Sequence, residues 1–250
     1  MKTALVTGAT SGFGLAICKT LLQTNYRVIG TGRRGERLEE LSAQFGEQFL
    51  PLVFDIQDIN AIEKQLTNRP SQWQSIDLLV NNAGLALGLE SADKANLNDW
   101  FTMIDTNIKG LVAITRFILP EMVAKNSGHI INIGSIASSY PYPGGNVYGG
   151  TKAFVKQFSL NLRADLAGTA IRVSNVEPGL CGGTEFSNIR FKGDDDKAAK
   201  VYENVQYVSP EDIANIVLWI NQQPPHVNIN RIEVMPTAQT FSPLAVAREG

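Results

Sequence analysis

Cysteine, histidine and net charge are what this chain has least of. Only two cysteines, Cys18 and Cys181, occur in 250 residues. A secreted disulfide framework needs more of them at tighter spacing, so both are read as free thiols of a reducing compartment. Two histidines, His129 and His226, form no cluster with zinc-ligand spacing, and no metal is expected. The formal net charge is −2. That leaves no basic excess for nucleic acid or an anionic membrane surface, and neither partner is expected. No apolar run approaches the ~20 residues that cross a bilayer. The apolar stretch after Lys2 is too short for a signal-peptide core, and the expected location is the cytoplasm.

What is present is strand–helix alternation. Apolar runs at 3–6, 27–31, 49–54, 76–80, 129–133, 170–176 and 231–235 read as strands. Helical spacing of apolar residues marks 12–25, 35–46, 61–67, 96–124 and 147–166, with Pro120 expected to kink or divide the long fourth segment. Ser209-Pro210-Glu211-Asp212 opens a helix running to about Gln222: a capping serine, proline at the first helical position and an acid at the third. The tail from Pro236 reads as irregular. Continuous apolar strands are buried on both faces. The expected fold is therefore α/β, one doubly wound parallel sheet of about seven strands with helices on both faces. No linker or repeat divides the chain, so a single domain over 1–250 is expected.

Two constellations carry chemistry. Glycines 8, 12 and 14 in Thr7-Gly8-Ala9-Thr10-Ser11-Gly12-Phe13-Gly14 follow a buried strand and open a helix. Glycine permits a sharp turn and close backbone approach, and a helix N-terminus favours an anion such as a pyrophosphate. The second comprises Ser135, at the end of a buried strand, and Tyr148 and Lys152, four apart on one helix face. An isolated tyrosine with a pKa of ~10 is a poor acid–base group near neutrality, whereas a nearby ammonium lowers that pKa. Such a pair suits proton exchange with a carbonyl or hydroxyl oxygen while a cofactor exchanges hydride.

These pieces, with Asn81-Asn82-Ala83-Gly84, Thr106-Asn107-Ile108-Lys109-Gly110 and Pro178-Gly179 in the same order, resemble the short-chain dehydrogenases/reductases over almost the whole chain. The resemblance implies a Rossmann-like fold, a nicotinamide cofactor and a homotetramer with the helices of Asn107 and Tyr148 in the interface. It implies Tyr148 as general acid/base, Lys152 on the nicotinamide ribose, Ser135 orienting the substrate oxygen and Asn107 supporting a water relay. For the cofactor it implies the glycine loop (Gly8, Thr10, Ser11, Gly12, Phe13, Gly14), Asp55 and Ile56 at the adenine, and Asn82, Ala83 and Gly84 beside the adenosine. Pro178 to Phe186, with Gly179 and Thr184, is expected to border the nicotinamide. Gly149 and Gly150, between the tyrosine and the lysine, depart from good helix formers at ~1 kcal/mol each. Gly150 is expected to relieve crowding near the cofactor.

NAD-preferring relatives end the second strand with an acid that binds the ribose 2′-hydroxyl. Here Arg33 and Arg34 stand instead. Guanidinium forks match a phosphate, so the pair is expected to bind the 2′-phosphate of NADP(H), with Thr10 or Ser11 helping. Arg37 is read as a surface residue. The segment at about 180–208 lies where the family carries a substrate lid. In it Arg190, or Lys192, is a candidate for a substrate carboxylate.

Glu177 to Lys197, Gly144 to Leu166 and Asn81 to Glu90 resemble the bacterial NADP-dependent 3-hydroxy acid dehydrogenases. That implies substrates such as serine or 3-hydroxypropionate and the matching 3-oxo acids. A general carbonyl or 3-oxoacyl-thioester reductase is the alternative, and a non-catalytic NADP-sensing regulator the remote one. Cys181 stands where an aliphatic residue is expected.

Overall fold

In the computed structural model, which describes residues 1–240, seven strands form one parallel sheet. They are β1 Lys2–Thr7, β2 Tyr26–Gly32, β3 Phe49–Val53, β4 Leu78–Asn81, β5 Gly128–Ile133, β6 Ile171–Pro178 and β7 Arg231–Val234. Their order is β3-β2-β1-β4-β5-β6-β7. Chain order reverses direction between β1 and β4, which opens a crevice at the carboxyl ends of those strands.

Successive side chains of a strand point to opposite faces, and β1 shows the consequence. Ala4 and Val6 pack against helices α1 (Gly12–Leu22) and α2 (Gly35–Phe45), through Ile17, Leu21, Leu38 and Leu41. Leu5 points the other way, into a core with α3 (Ile59–Thr67) that holds Ile62 and Leu66. Both faces are covered, as the unbroken apolar strands require.

The long segment 96–124 does divide, but not at Pro120. It forms α4 (Leu97–Ile104), a π turn over Asp105–Gly110 and α5 (Leu111–Ala124), and Pro120 lies inside α5 without ending it. The π turn ends at a tight tertiary contact. A Cβ on Gly110 would meet the Ile56 side chain at 2.6 Å and its carbonyl oxygen at 2.8 Å, so the helix passes hard against the loop after β3. A π turn takes one extra residue per turn, a device found often beside functional sites. Here it carries Asn107.

Helix α6 (Asn146–Asp165) presents Tyr148 and Lys152 inward, both buried. Crowding falls on Gly149 rather than Gly150: a Cβ on Gly149 would lie 3.2 Å from the Ala137 carbonyl, whereas Gly150 has open space around it. The polar segment after β6 contains two short helices, α7 (Phe186–Arg190) and α8 (Asp195–Lys200). Helix α9 (Pro210–Asn221) starts with the expected capping box of Ser209 and Asp212, an arrangement worth about 1 kcal/mol. The last strand ends at Val234, and residues 236–240 contain a turn. The rest of the tail lies outside the described residues.

Candidate active site

The turn from β1 into α1 is built for a close ligand. Gly8 and Gly12 have φ of +70° and +51°, where a side chain is strained. Gly14 is compelled for another reason: a Cβ there would lie 2.1 Å from the Gly8 carbonyl oxygen. Ser11 takes the N-cap position of α1, yet its side chain caps nothing. The first N–H groups of the helix are left to an anion such as a pyrophosphate.

Asn82 clips this loop to β4. Its side chain donates to the Thr7 and Gly8 carbonyls at 2.9 and 3.3 Å, and the Asn82 and Ala83 amides donate to Thr7 Oγ1, both at 3.0 Å. The NNAG stretch therefore braces the central strands besides facing the crevice.

A cavity of about 1250 Å³ runs along the carboxyl edge of the sheet. It is lined by Gly8, Thr10, Ser11, Gly12, Phe13, Arg33 and Arg34 at one end, and Asp55, Ile56, Asn82, Ala83 and Gly84 along the side. Ser135, Tyr148, Lys152, Pro178, Gly179, Thr184, Phe186 and Arg190 line the other end. The sequence candidates thus converge, with two exceptions. Gly14 sits behind the loop it permits. Asn107 is buried behind Gly84: its Oδ1 accepts from the Leu85 amide at 2.9 Å, and its Nδ2 donates to the Leu85 carbonyl at 2.8 Å and to Thr151 Oγ1 at 3.0 Å. Both amide hydrogens are spent. The Asn107 side chain positions the Gly84–Leu85 loop against α6, and the water relay expected of it has no side-chain donor left.

Tyr148 and Lys152 depart from the simple expectation. Burial raises the Tyr148 phenol above its ordinary pKa; a hydrogen bond with Ser135 and the Arg190 charge pull it back, while Tyr142 and Cys181 push it up. Lys152 is not the group that lowers it. Its Nζ donates to the Ile133 carbonyl at 2.8 Å and stands 5.9 Å from the Tyr148 ring centre, and burial brings its own pKa down to about 8. The lysine is close to losing the charge it was expected to lend, because desolvation outweighs any local stabilisation. Phe186, from the lid, meets the Tyr148 ring edge-on at 5.9 Å.

The lid distinguishes its two cations. Lys192 pairs with Asp99 at 2.7 Å. Arg190 has its guanidinium carbon 5.7 Å from the Tyr148 ring centre and donates to the Gly88 carbonyl and Tyr142 Oη at 3.2 and 2.9 Å. The cation beside the candidate acid–base group is Arg190.

At the other end Arg34 is held by both the loop and the lid. It donates to Thr10 Oγ1, Ser11 Oγ and both carboxylate oxygens of Glu185. Arg37 is not the plain surface residue expected: it donates to the same carboxylate at 2.8 Å and to the Thr10 carbonyl. Burial works against ionisation of Glu185, but the two arginines prevail and hold its carboxyl below its ordinary pKa. Arg33 stands apart, with Asp55 at 3.6 Å. In the sequence only the spacing of Arg37, three residues after Arg34 on one helix face, hints at this cluster.

A glycine turn that a Cβ would fill, an uncapped helix start and an arginine-rich wall fit a dinucleotide bearing an extra phosphate. The fold and site together define a nucleotide-dependent oxidoreductase of the doubly wound type. Residues 2–194 match the family model for short chain dehydrogenase. The chain is 72% identical over 247 residues to a probable NADP-dependent dehydrogenase of Haemophilus influenzae, covering 99% of this chain and 98% of that one. It is 58% identical to an NADP-dependent 3-hydroxy acid dehydrogenase of Escherichia coli K12, covering 98% and 99%. The closed form of a serine dehydrogenase complexed with NADP+ superposes with a TM-score of 0.98 at 57% identity, over 99% of this chain and all of that one. This chain belongs to the short-chain dehydrogenase family.

Proposed function

We propose that this protein interconverts short 3-hydroxy acids, such as serine or 3-hydroxypropionate, and their 3-oxo acids by hydride exchange at a Ser135–Tyr148–Lys152 site braced by Asn107. At the coarser level it is an NADP-dependent dehydrogenase of the short-chain family acting on a hydroxyl group. The observation that carries the finer reading is Arg190, a lid cation beside the ring of the acid–base tyrosine.

Bound NADP(H) supplies the hydride donor or acceptor. The protein does the rest. In reduction, Tyr148 gives its phenolic proton to the carbonyl oxygen, and in oxidation it takes a proton from the hydroxyl. Ser135 holds that oxygen by its Oγ. The Ser135 hydroxyl and the Arg190 charge stabilise the phenolate left after transfer, and Lys152 holds the nicotinamide ribose. Arg190 takes the substrate carboxylate, and Phe186 excludes water above the ring. Thr10, Ser11, Arg33 and Arg34 take the 2′-phosphate.

Exposed Phe101 and Val123, with a stacked Phe154–Phe158 pair on α6, support the homotetramer proposed for the working enzyme.

The test is a panel of short 3-hydroxy acids, L-serine included, assayed with NADP and NAD in parallel. Preference for carboxylate-bearing substrates is the expected result. A carboxylate-free ketone reduced as well as malonic semialdehyde would replace this reading by a general carbonyl reductase.

A further inference from the structure

The Arg34 guanidinium makes five hydrogen bonds, all within the protein. Nε donates to Thr10 Oγ1 at 3.2 Å, and Nη2 to Thr10 Oγ1 and Ser11 Oγ, both at 2.9 Å. Nη1 donates to Glu185 Oε1 and Oε2 at 3.1 and 2.8 Å. Three of those bonds hold the arginine against the glycine loop. The outward nitrogen, Nη1, the one a phosphate needs, is on a carboxylate.

A carboxylate gripped through two oxygens presents to a guanidinium what a phosphate presents: a pair of anionic acceptors at fork spacing. Arg37 adds a second guanidinium to the same carboxylate at 2.8 Å. The arrangement is therefore an anion site already filled from within the chain. The filler is carried by the lid, 151 residues away from Arg34 in sequence.

We propose that Glu185 is an intramolecular competitor of the cofactor's 2′-phosphate. It occupies the outward donors of Arg34 and one side of Arg37, and a nucleotide with a 2′-phosphate must displace it or share them with it. A nucleotide with a plain 2′-hydroxyl faces no such contest. Glu185 thus weakens NADP(H) selectively and sets how readily the oxidised or reduced cofactor leaves. Arg37 enters as a second specificity residue, because it is released to the phosphate when Glu185 gives way. This inference rests on the placement of the 2′-phosphate at Arg34.

The experiment is a set of binding titrations that need no turnover. NADPH and NADH are followed by their fluorescence, and adenosine 2′-monophosphate and 5′-monophosphate by calorimetry. Glu185→Gln keeps the size and removes the charge. Its Kd for NADPH and for the 2′-monophosphate is expected to fall about tenfold, roughly the loss of one charge-assisted contact to the competitor, with NADH and the 5′-monophosphate unchanged. Glu185→Ala should do the same. Unchanged or weakened NADPH binding overturns the proposal. An equal gain for NADH also overturns it, because Glu185 would then act through the lid as a whole. Arg34→Ala separates the two layers. If it leaves NADPH binding intact, the phosphate site is elsewhere; if it weakens NADPH while Glu185→Gln has no effect, the site stands and the competitor does not.

Discussion

The two edges of the sheet bury polar groups in opposite ways. At the amino edge the groups around His129 are paired within the protein. His129 meets Asn221 Oδ1 and Ser174 Oγ at 3.1 and 2.9 Å, and Asn221 in turn donates to Tyr26 Oη at 2.7 Å. Arg172 donates to the Ile220, Asn221 and Gln223 carbonyls, closing the negative end of α9. At the carboxyl edge the matching device is withheld: Ser11 leaves the positive end of α1 uncapped. Tyr148 and Lys152 are buried there with burial opposing the charged form of each. A polar group that is fully paired holds a fold together. One kept buried and ready for an outside partner costs stability and performs chemistry.

The sharpest break of this contrast is Tyr148→Phe. Removing one hydroxyl from the carboxyl edge should cut kcat about a hundred- to ten-thousand-fold, the usual range for losing general acid–base help. The melting temperature should hold, which a parallel thermal scan checks. Retained activity would sink the mechanism. Next comes the double variant Arg33→Ala/Arg34→Ala, which should raise the KM for NADP by about a hundredfold and leave that for NAD nearly unchanged. Equal effects on both would remove the 2′-phosphate assignment. Arg190→Met keeps the length and loses the charge. It should raise the KM for 3-hydroxy acids about tenfold or more, without touching a neutral alcohol of the same size.

The smallest kinetic effect belongs to the amino edge. Burial depresses the His129 pKa to about 3, with the Arg172 charge adding to it and the Asn221 hydrogen bond opposing. The folded form stays neutral while the unfolded chain takes a proton near its ordinary pKa of ~6.5. His129 therefore contributes stability that is present above about pH 6.5 and is lost as pH falls toward 3. Melting curves between pH 7 and 4.5 should show a shallower acid slope in His129→Gln than in the parent, with kcat at pH 7 unchanged. A parallel slope in the two proteins would contradict the neutral buried histidine.

The candidate reacting groups were legible along the chain because their signals are local. Tyr148 and Lys152 share a helix face by spacing alone. Gly8, Gly12 and Gly14 announce a tight turn, and Ser135 sits where an apolar strand stops. The apolar runs marked the central strands because a strand buried on both faces has no polar alternation to confuse it, whereas the edge strand β7 alternates exposed Arg231 and Glu233 with Ile232 and Val234. The π turn was not legible. It ends where Gly110 approaches Ile56, two segments whose nearness no helical period records. Glu185 was hidden for the same reason. As one acid in a polar loop it reads as surface, and it becomes part of the arginine cluster only when the lid folds across the crevice.

The sequence alone determined the parallel, doubly wound order of elements, the candidate acid–base tyrosine and the arginines after β2. Those are properties of periodicity, turn chemistry and side-chain type. Tertiary structure brought Arg190 beside Tyr148 and left Lys192 on Asp99. It confined the Asn107 side chain to positioning and brought Glu185 onto Arg34 and Arg37. In each case hydrogen-bonding capacity is finite. Which partner claims a donor depends on which groups folding brings within about 3 Å of it.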